Sequence, residues 1–173
     1  MIIGFKDLQN LRKQNKDKTI VLAIGTFDLF HYEHLKYLKD AKKLGDILVV
    51  AVKSNFLAKF KSPQRPIIDE EQRLQIIDSL KYVDYTVLCD EKTFLKTQQK
   101  HKFLFDENNN KWLNSFFKLC EKLLPNILYH EDTNCFNDAR NFVSQIFGIK
   151  LVERKRTAEV TTTKIIEKIK STK

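Results

Sequence analysis

Short unbroken apolar runs rich in β-branched residues punctuate this chain, at Thr19–Ile24 and at Asp46–Val52, where the sequence reads Ile-Leu-Val-Val-Ala-Val. Such runs predict strands buried on both faces. Lys81–Leu88 reads as a third strand with its approach, Asn126–His130 after Pro125 as a short fourth, and Ile149–Val152 as a fifth. Between them, apolar residues return at helical spacing. Phe5, Leu8 and Leu11 mark a short leading helix. Leu35, Leu38, Ala41 and Leu44 face inward in a helix that Gly45 closes, with Lys36, Lys39, Asp40 and Lys43 outward. Asp69 caps another helix, with Glu70, Glu71 and Gln72 in its first turn and Leu74, Ile77 and Leu80 toward the core. Trp112–Leu124 carries a wide apolar face. Asp138–Phe147 turns Ala139, Phe142, Val143 and Ile146 inward and ends at Gly148, its C-cap. Three threonines, Thr161–Thr163, open a last amphipathic run. Strand–helix–strand alternation at this spacing means right-handed parallel units. The expected fold is one α/β domain with a Rossmann-like five-stranded parallel sheet and helices on both faces.

Two stretches break the alternation. Lys53–Pro66 carries Lys53, Lys59, Lys61 and Arg65 without periodicity, which reads as a basic lid over an anion site or as a solvated connection. Asp90–Leu124 reads in part as an insertion, with a turn at Asp106–Asn110; it covers a pocket, extends a contact between subunits, or thickens the core.

Composition narrows the class. The chain has 173 residues, 42% hydrophobic and 31% charged, enough for one core. No apolar run reaches the roughly 18 residues of a membrane span, and no signal peptide opens the sequence. Cys89, Cys120 and Cys135 are odd in number and fit no metal spacing, so they read as reduced thiols of a cytoplasmic protein. A net charge of +9 suits a polyphosphate partner; no motif for nucleic acid accompanies it.

The candidate chemistry lies at the first strand-to-helix turn, Gly25-Thr26-Phe27-Asp28-Leu29-Phe30-His31-Tyr32-Glu33-His34. Gly25 lets the backbone bend and approach a ligand. The helix start offers unpaired N–H groups and a positive dipole end, a natural anion site. His31 and His34, three apart, share a face, where two imidazoles can donate to phosphate oxygens and stabilise developing charge. Glu33 is favoured by the dipole, and its position, about 100° round from His34, points it away from the phosphates.

This turn resembles the G-x-F-D-x-x-H-x-G-H signature of the cytidylyltransferase-like nucleotidyltransferases. Glycerol-3-phosphate cytidylyltransferases and heptose-1-phosphate adenylyltransferase domains are among them. Glu33 stands where the signature has glycine. Arg65-Pro66 through Arg73 is similar to a second family segment, and Arg156-Thr157-Ala158-Glu159-Val160-Thr161-Thr162-Thr163 to a third, R-T-x-x-x-S-T-T, with Glu159 in place of another glycine.

The resemblance implies that His31, His34, Lys61 and Arg156 are catalytic. It implies that Gly25, Thr26, Phe27, Lys59, Arg73, Thr161, Thr162 and Thr163 bind the nucleotide. Arg73 touches the ligand or ties loop to helix, and the threonines cap their helix, bind phosphate, or both. Asp28, His130 and Asp132 would line an acceptor or base pocket. An acceptor phosphate would attack the α-phosphorus of a nucleoside triphosphate carrying Mg2+, releasing pyrophosphate, with no metal held by the protein alone. The Lys81–Leu88 segment is similar to one at a homodimer interface. CTP with an alcohol or sugar phosphate leads; ATP with heptose 1-phosphate follows. A nucleotide-binding module without turnover is the alternative of another class.

Overall fold

The computed structural model describes residues 1–59, 63–90, 111–132, 137–155 and 160–172. Its frame is β1 (Ile20–Gly25), β2 (Ile47–Lys53), β3 (Tyr85–Cys89), β4 (Ile127–Glu131) and β5 (Lys150–Arg154). These form one sheet in the order β3-β2-β1-β4-β5, and every neighbouring pair is parallel. The five-stranded, Rossmann-like parallel sheet is the one the apolar runs predict. Pairing runs past the apolar pattern into polar residues at the strand ends: Lys53 still pairs with Cys89, and Glu131 with Arg154.

Side-chain alternation puts two helical layers on this sheet. On β1, Ile20 and Leu22 pack with Leu8 of α1 (Leu8–Gln14), Phe116 of α5 (Lys111–Leu123) and Val143 of α6 (Asn137–Phe147). Val21 and Ala23 face the other way, toward Leu38 and Ala41 of α2 (Tyr32–Lys42) and Ile77 of α4 (Glu70–Asp78). Among the described residues there are also a 3-10 turn at Phe5–Asp7, the five-residue α3 (Asn55–Lys59) and α7 (Thr162–Ser171). Each fully buried Leu, Ile or Phe contributes about 1.5–3 kcal/mol, so the doubly covered strands anchor the fold and their ends can carry polar groups.

Several sequence expectations shift. α2 ends at Lys42 with Lys43 as its right-handed cap, so Gly45 is not a C-cap. A Cβ on Gly45 would sit 2.7 Å from the Thr19 carbonyl oxygen; glycine lets this loop pass against the start of β1. The stretch from Lys53 to Pro66 contains α3, which buries Leu57 and Ala58 and is too short to show a period. α5 buries Phe116, Phe117, Leu119, Cys120 and Leu123, while Leu124 leaves the helix at φ +46° and is exposed. On α6, Ile146 is exposed and Phe147 takes the inward place against Phe117, ring centroids 5.0 Å apart. Gly148 does adopt the left-handed cap, φ +64°. Among the described residues, no helix is long and apolar enough to cross a membrane. The turn at Asp106–Asn110 and Cys135 lie outside the described residues.

Candidate active site

Strand β1 pairs with β2 on one side and β4 on the other, so the order in which the chain adds strands reverses beside it. That is the switch point where open α/β sheets hold ligands. A cavity of about 210 Å³ opens there, and His31, His34, Arg65, Glu131, Thr162 and Thr163 are among its lining residues.

The loop after β1 is bent by two non-glycine residues in the left-handed region, Phe27 (φ +54°) and Leu29 (φ +44°). Such a conformation persists only when the surroundings over-determine it. Asp28, 2% exposed, accepts the Ile67 N–H at 3.1 Å and the Ile68 N–H at 3.0 Å. Beneath it, the fully buried Arg73 donates to the carbonyls of Thr26 (2.6 Å), Lys53 (2.8 Å) and Ile68 (2.8 Å) and to Asn55 Oδ1 (2.9 Å). Burial draws the Arg73 guanidinium pKa down, and the Asp28 carboxylate opposes that. Arg73 is outside the cavity lining. Of the two roles expected of it, the contacts formed are those of the tie: it joins loop, strand and helix. Asp28 borders the cavity, and its carboxylate serves the same clasp.

Gly25 lines the cavity and has a second task. A Cβ there would lie 2.7 Å from the Phe27 ring, so the glycine makes room for a side chain. The buried Phe27 ring then meets His34 edge-on, centroids 5.5 Å apart. His34 stacks on His31 at 3.8 Å with planes 23° apart. His31 is the extended N-cap of α2. The shared face expected from their spacing is thus formed, and it borders the cavity. Thr26 and Phe27 line it as well.

The α7 start faces the same cavity. Thr161 is its N-cap and accepts the Lys164 N–H. Thr162 donates its hydroxyl to the Asp28 carbonyl at 3.0 Å. Thr163 Oγ1 accepts from Arg65 Nη2 at 3.1 Å. Thr162 and Thr163 line the cavity whereas Thr161 does not, so capping and facing the ligand fall to different threonines.

Glu33 departs most from expectation. It is buried, borders the cavity and pairs with Arg154 of β5 at 2.8 Å. The neighbouring cation draws the carboxylate inward instead of leaving it in solvent. His130, 9% exposed, lines the cavity, and burial lowers its pKa, with the Arg140 charge adding to the effect. Asp132 is exposed, off the lining, and contributes its N–H to the Arg154 carbonyl. Lys59 is exposed at the end of α3 and likewise off the lining. Lys61, Arg156 and Glu159 lie outside the described residues.

Sequence reasoning passed over Glu131 and Arg140 as lining residues and placed Lys53 only in the basic loop. The available signal was position: two are polar ends of apolar strands, and Arg140 is in the first turn of the helix after β4. Among the described residues, no group of three or more His, Cys, Asp or Glu could hold a metal ion; the Asp28 carboxylate already receives two backbone N–H groups.

A family model described as cytidylyltransferase-like matches residues 22–173. The bifunctional protein HldE of Syntrophotalea carbinolica is 41% identical over 85 residues, 49% of this chain and 17% of that protein. The FAD synthase of Ferroglobus placidus is 45% identical over 82 residues, 47% of this chain and 53% of that one. The chain thus spans about a sixth to a half of the length of these relatives. Among solved structures, the lipopolysaccharide core biosynthesis protein from Thermoplasma volcanium superposes with a TM-score of 0.57 at 29% identity, covering 81% of this chain and 97% of that one. The pantoate-beta-alanine ligase from Francisella tularensis reaches 0.67 at 20% identity, over 98% and 77% of the chains, and shares the fold.

Proposed function

The chain belongs to the cytidylyltransferase-like family, and from that membership we propose that it moves a nucleotidyl group from a nucleoside triphosphate to a phosphorylated small alcohol or sugar. The observation that carries this reading is the convergence of the His31–His34 stack and the Thr162–Thr163 helix start on one cavity. Two helix N-termini supply N–H donors and positive dipole ends to a polyphosphate. In the proposed step an acceptor phosphate oxygen bonds to the α-phosphorus as the bond to pyrophosphate breaks. His31 and His34 donate to the phosphate oxygens where charge grows. Arg65 steadies the Thr163 side, and Lys61 and Arg156 are assigned to the outer phosphates as charge-assisted donors. Magnesium enters with the triphosphate and neutralises part of its charge; no side chain is assigned to it.

ATP and a sugar phosphate such as heptose 1-phosphate are the favoured substrates. Making FAD by nucleotidyl transfer adds an adenylyl group, and a lipopolysaccharide core is built of sugars, so both similar proteins point that way. CTP is the second reading, supported by the Thr161–Thr163 ending. A cytoplasmic homodimer, joined through the Lys81–Leu88 segment, completes the proposal.

The test is pyrophosphate release across four nucleoside triphosphates and a panel of acceptors including heptose 1-phosphate, glycerol 3-phosphate and FMN. Signal with ATP supports the lead and signal with CTP the second reading. Nucleotide binding without turnover in any combination makes the chain a degenerate module and ends the proposal.

A further inference from the structure

Glu33 and Arg154 come from opposite ends of the fold and meet where the His31–His34 turn joins the sheet edge. Arg154 Nη2 lies 2.8 Å from Glu33 Oε2, and each side chain is only 9% exposed. The same guanidinium reaches the backbone: its Nη1 donates to the Glu33 carbonyl at 3.3 Å. It also stands 3.8 Å from Glu131 Oε1. The Glu33 carbonyl belongs to the peptide unit that leads into His34. Arg154 therefore grips residue 33 by side chain and main chain at once, one peptide before a cavity histidine.

The rest of α2 is held differently. Tyr37, Leu38 and Ala41 are buried against the sheet, which fixes the helix axis. Its opening turn has no preceding turn to bond to and needs outside anchors. A planar guanidinium fork fixes angle as well as distance. We infer that Arg154, through Glu33, is a positioning residue for His34: it braces the first turn of α2 against the end of β5 so that the His34 ring keeps its place in the stack. The inference rests on the nucleotidyl-transfer reading above, since that reading gives His34 its task. A merely stabilising ion pair would affect folding and leave the folded enzyme's turnover alone.

The experiment uses the full chain with Arg154→Lys, Arg154→Met and the double variant Glu33→Met/Arg154→Met, each checked for folding by circular dichroism. Arg154→Lys keeps the charge and loses the fork. The account expects Arg154→Lys and Arg154→Met to lower kcat by roughly 10–100-fold, as a small misplacement of a reacting group does. KM for the triphosphate should stay within about threefold, because binding contacts remain. The double variant removes the unpaired buried charge and should recover melting temperature without recovering kcat. A second readout is independent of turnover: the His34 ring resonances of the ligand-free protein should shift in Arg154→Lys. Wild-type kcat together with unmoved His34 signals in folded Arg154→Met overturns the brace, as does return of kcat in the double variant. Should the wild-type protein release no pyrophosphate, the nucleotidyl-transfer reading falls, and the His34 resonances alone decide the brace.

Discussion

Asp28 and His34 lie six positions apart in one loop-and-helix segment, yet they are treated in opposite ways. Asp28 is buried and receives two backbone N–H groups from a segment some forty residues on. Arg73, beneath it, makes four hydrogen bonds to carbonyl and amide oxygens. His34 instead borders the cavity with its ring on His31. The clasp is a closed polar network whose partners are all protein, and such a network specifies one conformation of the chain. The stack is held by ring contacts with Phe27 and Phe30, which fix its position while its edges face the cavity. The two left-handed residues that flank Asp28, Phe27 and Leu29, explain why the clasp is needed: a strained loop keeps its shape only if something rigid lies under it. On the proposed function, stability and chemistry are thus separated within a few residues.

The largest effect should come from the clasp. Arg73→Met strips four oxygens of their donor and leaves Asp28 without its neighbouring cation, a loss of about 3–5 kcal/mol typical of a broken buried network. Urea unfolding measures it; a loss below about 1 kcal/mol would erase the contrast with the histidines. His31→Ala and His34→Ala should each lower kcat by roughly 10²–10³-fold, the usual effect of removing one donor to developing charge, with melting nearly unchanged. A variant that keeps wild-type turnover would move the chemistry elsewhere. Thr162→Val removes the hydroxyl that joins α7 to the Asp28 carbonyl. It should cost about 1 kcal/mol, read as a lower melting temperature; no change would detach α7 from the clasp.

The smallest effect concerns pH. Burial depresses the His130 pKa below its ordinary 6.5, so folding favours the neutral ring. The contribution is complete above the unfolded value and is lost as pH falls through the lower folded value. His130→Gln should therefore flatten the fall in melting temperature between neutral and mildly acid pH. An unchanged acid limb would exclude this histidine as its source.

The sheet was legible because buried parallel strands must be apolar on both faces, and residues 20–24 and 47–52 are. Local caps were legible too: Asp69 accepts the Glu71 N–H and Thr161 the Lys164 N–H, both set by residues a turn away. Distant partners were not. The Asp28 contacts with Ile67 and Ile68, and the Glu33 contact with Arg154, depend on the order in which strands pair, which periodicity does not encode. Gly25 was read for ligand access alone because its neighbour's ring direction was invisible; the Phe27 ring lies back over the glycine. Ile146 was placed inward because four apolar residues shared the helical stripe, and Phe147 claimed the contact with Phe117 instead.

The separation of scaffold from chemistry is tested most directly by turnover per folded molecule in His34→Ala and Arg73→Lys. Pyrophosphate release would be measured at a temperature where circular dichroism shows both variants folded. A lysine ammonium cannot span the oxygens that the Arg73 fork reaches, so Arg73→Lys should melt early yet, while folded, turn over within a few-fold of wild type. His34→Ala should melt normally and release pyrophosphate roughly 10²–10³-fold more slowly. Equal loss of turnover in the two folded variants, or full turnover in His34→Ala, would contradict the account.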